Sequence, residues 1–352
     1  MRALIVITVR NEASFFLEWL AHHQAVGFTD FLVYSNDCTD GTDIMLDRLQ
    51  ALGHLTHERN DSSDDGGVQW GALKQADKHP LVKQADWLLP MDVDEFVNIH
   101  VGNRRLPDLL AALPDATAIP LTWRVFGNNG VVDFVDQPVL QQFTRAAPIP
   151  CYWPWKSALF KTLYRNDGTY GKLGIHRPRQ PRKDRLSKAQ WFDGAGRKLP
   201  EAYKKQKIFS NFWQDNTRLV QLNHYPLGAK QSYVLKRDRG RAVHSDHQLG
   251  MDYWVERDFN QIEDKTILAL WPQTVEYLAR LKQDPELTRL HRQACQWRQS
   301  RFEELMLDEE YRALFGRLML CPQTKALSMQ EAERIMAFGR KAQEIKNRSR
   351  NG

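Results

Sequence analysis

The first hundred residues alternate short apolar runs with amphipathic stretches three times over, and that alternation restricts the fold more than anything else in the chain. Residues 3–9, Ala-Leu-Ile-Val-Ile-Thr-Val, offer no polar face to water, as a strand covered on both sides requires. Residues 13–26 then set Phe16, Trp19, Leu20, His23 and Val26 at near-helical spacing, and Gly27 closes the helix. Residues 31–34 form a second strand. The next helix shows Ile44, Leu46, Leu49 and Leu52 on its apolar face, with Asp40 or Thr42 placed to cap it and Gly53 to stop it. A short strand over 54–58, a polar loop over 61–67, a helix over 70–85 interrupted at His79-Pro80, and an apolar run over 87–91 complete the pattern. Strand and helix alternating through short links predict an α/β fold, a mostly parallel sheet with helices on both faces.

Ligands of such sheets bind beyond the carboxyl ends of the strands. The polar clusters fall there: Arg10-Asn11-Glu12 after the first strand, Ser35 to Asp40 after the second, and Asp92, Asp94 and Glu95 after the run that begins at Trp87. Residues two apart in extended chain face the same way, so Asp92 and Asp94 point together. Paired carboxylates repel unless a cation lies between them. Hard oxygen ligands suit Mg²⁺ or Mn²⁺, and such an ion can hold a diphosphate. An Asp-x-Asp triplet by itself is equally compatible with a solvated surface turn.

Beyond the acids, residues 106–113 read as a short helix. Residues 116–123, 139–145, 157–164 and 219–225 read as strands, with a turn at Gly127-Asn-Asn-Gly130. Residues 168–207 are basic, rich in Gly and Pro, and expected to be irregular. From residue 229 the pattern becomes helical, over 268–281, 287–305 and 329–345, which suggests a division into residues 1–228 and a C-terminal helical region, 229–352. A content of 42% hydrophobic and 26% charged residues is that of an ordinary soluble globular protein. The four cysteines include no C-x-x-C pair, which excludes a zinc ribbon and a disulfide framework and fits a reducing cytosol. The opening apolar run ends at Arg10 and Glu12, too early for a leader, and no run approaches the ~18 apolar residues of a membrane span. The expectation is a cytoplasmic protein. The basic residues between Arg177 and Lys207, within a net charge of +6, offer peripheral contact with an anionic surface such as the inner face of the membrane, and a solvated loop is the plainer alternative. No RNA-binding motif is present, so no nucleic-acid partner is expected.

Thr8-Val-Arg-Asn-Glu12, Glu18-Trp-Leu-Ala-His-His23, Ser35 to Thr42 and Asp92-Val-Asp-Glu-Phe96, in this order and spacing, resemble the family 2 glycosyltransferases, and most of all the subgroup related to the family 92 galactosyltransferases. Trp155-Lys156, Ile175-His176, Asn223-His-Tyr225 and Lys236 to Gly240 resemble that subgroup's later motifs more loosely, and Gly228-Ala229-Lys230 stands where a Lys-Ser pair is usual. The resemblance implies a GT-A fold and transfer of a sugar from a nucleotide-sugar, often UDP-linked, to a hydroxyl of a glycan or glycolipid acceptor, with inversion at the anomeric carbon.

On that reading Arg10, Asn11, Glu12, Asn36, Asp37, Gln69 and Asp92 bind the nucleotide-sugar, and Asp92 and Asp94 hold Mn²⁺ or Mg²⁺, which neutralises the departing diphosphate. Asp40 is either part of that set or only a helix cap. Arg10 or Lys156 binds phosphate oxygens. The reaction also needs a base for the acceptor's proton. The acidic motif that supplies it in most family 2 enzymes has no clear copy here. Asp133, Asp136 and Asp215 are unmarked by their surroundings, whereas His176 and His224 follow strand-like runs and serve as base or further metal ligand, or else only as hydrogen-bonded structural histidines. Two other readings compete. A nucleotidyltransferase shares the architecture but usually carries a glycine-rich phosphate loop, and residues 8–16 contain no glycine. A non-catalytic protein binding an anionic polymer or membrane through the basic stretch would ignore divalent metal and weaken steeply with salt.

Overall fold

A computed structural model of the chain describes residues 1–60, 67–240 and 249–351. The polar loop expected at 61–67 falls, except for Gly67, outside the described residues. An eight-stranded sheet organises the rest. Its N-terminal half is parallel: β1 (Ala3–Val9), β2 (Asp30–Ser35), β3 (Thr56–Arg59) and β4 (Trp87–Pro90) lie in the order β3-β2-β1-β4. The sheet continues through the strand Phe160–Arg165, β6 (Ala118–Val125), the strand Val220–His224 and finally β5 (Glu95–Ile99). There the pairing is mixed, because Phe160–Arg165 runs against both its neighbours and β5 against Val220–His224. The expected α/β sheet is therefore present, with its parallel character concentrated in the first ninety residues.

The register brings the polar clusters to one edge. Val9 lies opposite Ser35 and Val6 opposite Pro90, so the segments that follow β1, β2 and β4 leave the sheet side by side. His224 pairs with Glu95, which sets the end of one strand against the first residue of another.

β5 is the last strand and has one unpaired edge, a liability in most sheets. The helix Ala13–Val26 closes it with side chains. Trp19 Nε1 donates to the Glu95 carbonyl at 3.0 Å, His22 Nε2 meets the Val97 carbonyl at 2.8 Å, and Val97 N donates to His23 Nε2 at 3.3 Å. His23 Nδ1 lies 2.8 Å from the Trp19 carbonyl, so the proton sits on Nδ1 and Nε2 is free to accept. Both rings are neutral: burial lowers His22 to about 4 and holds His23 well below its ordinary value. Glu18 completes the arrangement. Its carboxylate accepts from Val139 N at 2.7 Å and Leu140 N at 3.1 Å. Residues 139–145, expected as a strand, accordingly form the helix Val139–Gln142 after Pro138 and only a two-residue strand, Arg145–Ala146. The carboxylate takes the free amides of a helix start, and that partner comes from a residue more than a hundred positions away.

The main core runs from Ile5 and Ile7 on β1 through Phe16, Trp19 and Leu20 to Ile267, Leu281, Leu287 and Ala294, so the C-terminal helices Trp271–Lys282 and Pro285–Leu305 share it with the sheet. A separate cluster gathers Tyr233, Trp254, Leu305 and Leu314 among the later helices. The basic stretch is partly structural. Tyr170–Lys172 and Arg179–Pro181 pair as a hairpin, buried Arg177 donates to the Lys204 carbonyl at 2.5 Å, and Arg179 stacks 4.4 Å over Trp70. Among the described residues no helix is long and apolar enough to cross a membrane.

Candidate active site

The sheet edge where β1, β2 and β4 end opens into a cleft of about 570 Å³. Arg10, Glu12, Asn36, Gln69, Asp92, Asp94, Lys156, His176 and His224, all singled out in the sequence, line it. Two other expected residues do not. Asp37 is exposed in a left-handed turn (φ 44°) and accepts from its neighbour Asn36. Asn11, also left-handed (φ 55°), uses its side-chain oxygen to hold Thr39 N at 2.8 Å and lines a neighbouring cavity instead. Asp40 is a scaffold residue: one oxygen accepts from Thr42 N and Oγ1, the other from Ala13 N, tying two helix starts together.

Each acid of the Asp92-Val-Asp94 pair has its own lysine. Asp92 receives Lys161 Nζ at 2.8 Å on one oxygen and Gln69 Nε2 at 2.8 Å on the other. Asp94 receives Lys236 Nζ at 2.8 Å on Oδ2, and its Oδ1 lies 3.8 Å from His224 Nε2. Burial alone would raise the Asp94 pKa, but the Lys236 ammonium outweighs it and holds the carboxyl at about 2. Lys161 is wholly buried on a strand and stays charged because Asp92 and Glu95 face it. Glu95, also wholly buried, accepts from Asp92 N at 2.8 Å and Trp123 Nε1 at 2.6 Å, and burial pushes its pKa well up. Glu95 thus shapes the turn that carries both aspartates.

Arg239 pairs with Glu12 and donates to the Arg10 carbonyl at 3.0 Å, while Arg10 donates to the Arg239 carbonyl at 3.2 Å. The helix Lys230–Arg239 is thereby fastened to the end of β1 and brings Lys236 and Arg239 to the cleft.

The two histidines differ. His176 lies with Nδ1 3.1 Å from the Phe160 carbonyl, which places the proton there and leaves Nε2 as an acceptor; burial and Lys161 lower its pKa to about 4. His224 stacks 4.2 Å from Trp123, and burial lowers it to about 3. Both are neutral at physiological pH. Lys156, half exposed, sits 3.7 Å from Glu256. Sequence reading assigned no role to Lys161, Glu95 or Arg239. The available signal was a lysine inside an apolar strand-like run, Phe160-Lys-Thr-Leu-Tyr, which calls for a buried partner.

Among the described residues, metal-type ligands gather in two places. Asp94 Oδ1 and His224 Nε2 face the cleft together, 3.8 Å apart; the carboxylate suits Mn²⁺ or Mg²⁺, while the neutral imidazole suits a softer divalent ion. Asp136, His291 and Cys295 lie within 4.8 Å of one another away from the cleft, and there His291 Nε2 lies 2.8 Å from Asp136 while its buried Nδ1 has no partner among the described residues.

The sequence profile of glycosyltransferase family 92 matches residues 6–226, and the chain belongs to that family. A family 92 glycosyltransferase of Oryza sativa subsp. japonica is 26% identical over 105 residues, which cover 29% of this chain and 17% of the rice protein. Among solved structures, Staphylococcus aureus TarS 1–349 in complex with UDP-GlcNAc is similar at 17% identity, covering 47% of this chain and 45% of that one with a TM-score of 0.30. HddC of Yersinia pseudotuberculosis is similar at 9% identity, covering 49% and 83% with a TM-score of 0.28. The chain thus spans less than half the length of the rice and TarS proteins.

Proposed function

We propose that the chain transfers a sugar from a nucleoside-diphosphate sugar, UDP-linked in the first instance, to a hydroxyl of a glycan or glycolipid acceptor, with inversion. The observation that carries this reading is the convergence of Asp92, Asp94, His224, Lys236 and His176 on one cleft at the carboxyl ends of the parallel strands, with Lys161 buried behind Asp92. The nucleoside lies toward Asn36 and Gln69, at the ends of β1 and β2. The diphosphate lies toward Lys236 and Arg10, whose charges favour it. Asp94 and His224 hold the divalent ion, which supplies Lewis-acid neutralisation of the leaving diphosphate when bound. Asp92, held by Gln69 and Lys161, keeps the acidic turn in place and orients the donor. His176, whose Nδ1–H is anchored on the Phe160 carbonyl, presents Nε2 to take the acceptor's proton. Its low pKa in the empty cleft makes it a weak base there, and an anionic donor close by raises it.

Calorimetry with UDP and GDP, each with Mn²⁺ and with EDTA, on the wild type and on Asp94→Asn, tests the reading. Metal-dependent binding that weakens at least ten-fold in Asp94→Asn supports it, and GDP preference would change the donor and not the reaction class. Binding of neither nucleotide in the presence of metal refutes it.

A further inference from the structure

Behind the cleft lies a second cavity of about 90 Å³, and Glu12, Val93, Asp94, Lys236 and Arg239 line both. The ion pairs Asp94–Lys236 and Glu12–Arg239 form the shared wall. The far side is aromatic, with Phe15, Phe134 and Trp297 among its lining residues. One charged group stands among them. Arg298, on the helix Pro285–Leu305, is 95% buried, and its guanidinium carbon lies 4.6 Å from the Phe15 ring centre and 4.9 Å from that of Phe134. Among the described residues no carboxylate pairs with it. Its buried Nε likewise has no hydrogen-bond partner among the described residues.

Buried guanidinium groups are normally paired, because an uncompensated charge away from water is costly. Contact with two ring faces recovers part of that cost but uses none of the planar fork of donors, which matches an oxyanion. Burial lowers the Arg298 pKa to about 10, and the charge of Asp40, with which it makes no ion pair, offsets only part of that. The remaining need is for an anion from outside. Aromatic walls suit the C–H faces of a sugar ring, and the cavity shares Val93, Asp94 and Lys236 with the cleft into which His176 presents Nε2.

We propose that this cavity is the acceptor subsite and that it selects an acidic sugar, with Arg298 binding a carboxylate or phosphate group of the acceptor. This rests on the transferase reading above. The group carries no role in the chemical step; it fixes which acceptor is held, and in what orientation, beside Asp94.

Binding to the full chain, read by ligand-observed NMR, tests it with three probes: methyl β-D-glucuronide, glucose 6-phosphate and methyl β-D-glucoside. UDP binding with Mn²⁺ is measured on the same samples. The wild type is expected to hold one of the two acidic sugars at least ten-fold more tightly than the neutral glucoside, and the stronger of the two identifies the anion as carboxylate or phosphate. Arg298→Met is expected to lose that preference while UDP binding persists, which shows that the fold and the donor cleft survive. Phe134→Leu, which removes one ring from the cavity wall, is expected to weaken all three sugars together and serves as the second variant should Arg298→Met not fold. Equal binding of acidic and neutral sugars by a wild type that binds UDP overturns the acceptor proposal alone, as does a preference that survives Arg298→Met. Loss of UDP binding in the wild type would instead refute the transferase reading.

Discussion

Replacing Lys161 by Met tests the charge logic of the site at its most buried point. The thioether chain nearly matches the lysine stem in volume, so packing is largely kept, and what is lost is the ammonium. In the wild type that ammonium lies 2.8 Å from Asp92 and 3.9 Å from Glu95, with no solvent exposure of its own. Removing one partner of a buried pair costs about 3–5 kcal/mol, because the remaining charge is left uncompensated. Asp92 keeps 37% of its side chain exposed and can regain some hydration, so the low end, about 3 kcal/mol, is expected. For a chain of 352 residues the unfolding entropy corresponds to about 0.7 kcal/mol per degree, and Lys161→Met should lower the Tm by about 4 °C. Asp92→Asn in the same background should return part of this loss, since it removes the stranded charge, and the double variant should be less destabilised than the sum of the two singles. Thermal unfolding followed by circular dichroism reads all four proteins. A Lys161→Met variant melting within a degree of the wild type, or strict additivity in the cycle, would show that Lys161 does not neutralise the acidic turn.

The pH dependence of stability should carry two opposing slopes from a single helix turn. Glu18, raised to about 7 by burial, has a folded pKa above its unfolded value of 4.5, so its contribution is full below pH 4.5 and is lost as pH rises through about 7. His22, lowered to about 4, contributes fully above pH 6.5 and loses that contribution as pH falls to about 4. Each spans about 2.5 pKa units, up to about 3 kcal/mol, so the two largely offset between pH 4.5 and 6.5; Glu18→Gln should unmask the histidine slope as a steeper loss of Tm on acidification, and an unchanged profile would refute the assignment. His176→Phe should lower kcat for release of the nucleoside diphosphate by at least about 100-fold while nucleotide Kd moves by less than about two-fold, and parallel losses in both would assign the ring to binding. Gly127→Ala should cost at least about 2 kcal/mol in urea unfolding, since a Cβ there would come within 2.5 Å of the Phe259 carbonyl and of the Asn260 side chain; a neutral result would mean that the Phe259–Asn260 segment can withdraw.

The parallel half of the sheet and the address of the site were legible because both rest on local pattern. Apolar runs of strand length alternate with helical spacing through β4, and Arg10, Asn36 and Asp92 stand immediately after strand ends, where topology alone brings them together. What sequence could not order was set at long range. The helix at Val139–Gln142 exists where Glu18 supplies a carboxylate, and residues 139–145 carry no local sign of it. β5 was hidden because Glu95-Phe-Val-Asn-Ile follows the acids without a break, and its free edge is closed by Trp19, His22 and His23 from another part of the chain. Those three residues lie within a motif whose resemblance to a transferase family was visible, but their work is to hold the strand behind the acids and not to touch a ligand.

The same separation explains why the acidic pair was found and its cations were not. Asp92 and Asp94 stand two apart in the turn between β4 and β5 and not in extended chain, so the common face expected of a strand does not apply, but both still reach the cleft from one short segment. Lys161 and Lys236 reach them from positions 69 and 142 residues away, on a strand and a helix that become neighbours only in the finished fold. Their presence changes what a divalent ion must do. An ion arriving at Asp94 does not meet a bare carboxylate; it competes with the Lys236 ammonium for Oδ2 or binds on the Oδ1 side with His224. On the proposed reading a diphosphate would resolve that competition, because its negative charge would give Lys236 a new partner. Ion and nucleotide would then bind with positive coupling, each stronger in the presence of the other, which calorimetry of Mn²⁺ with and without UDP reads as a difference in Kd; equal Kd values would refute the coupling.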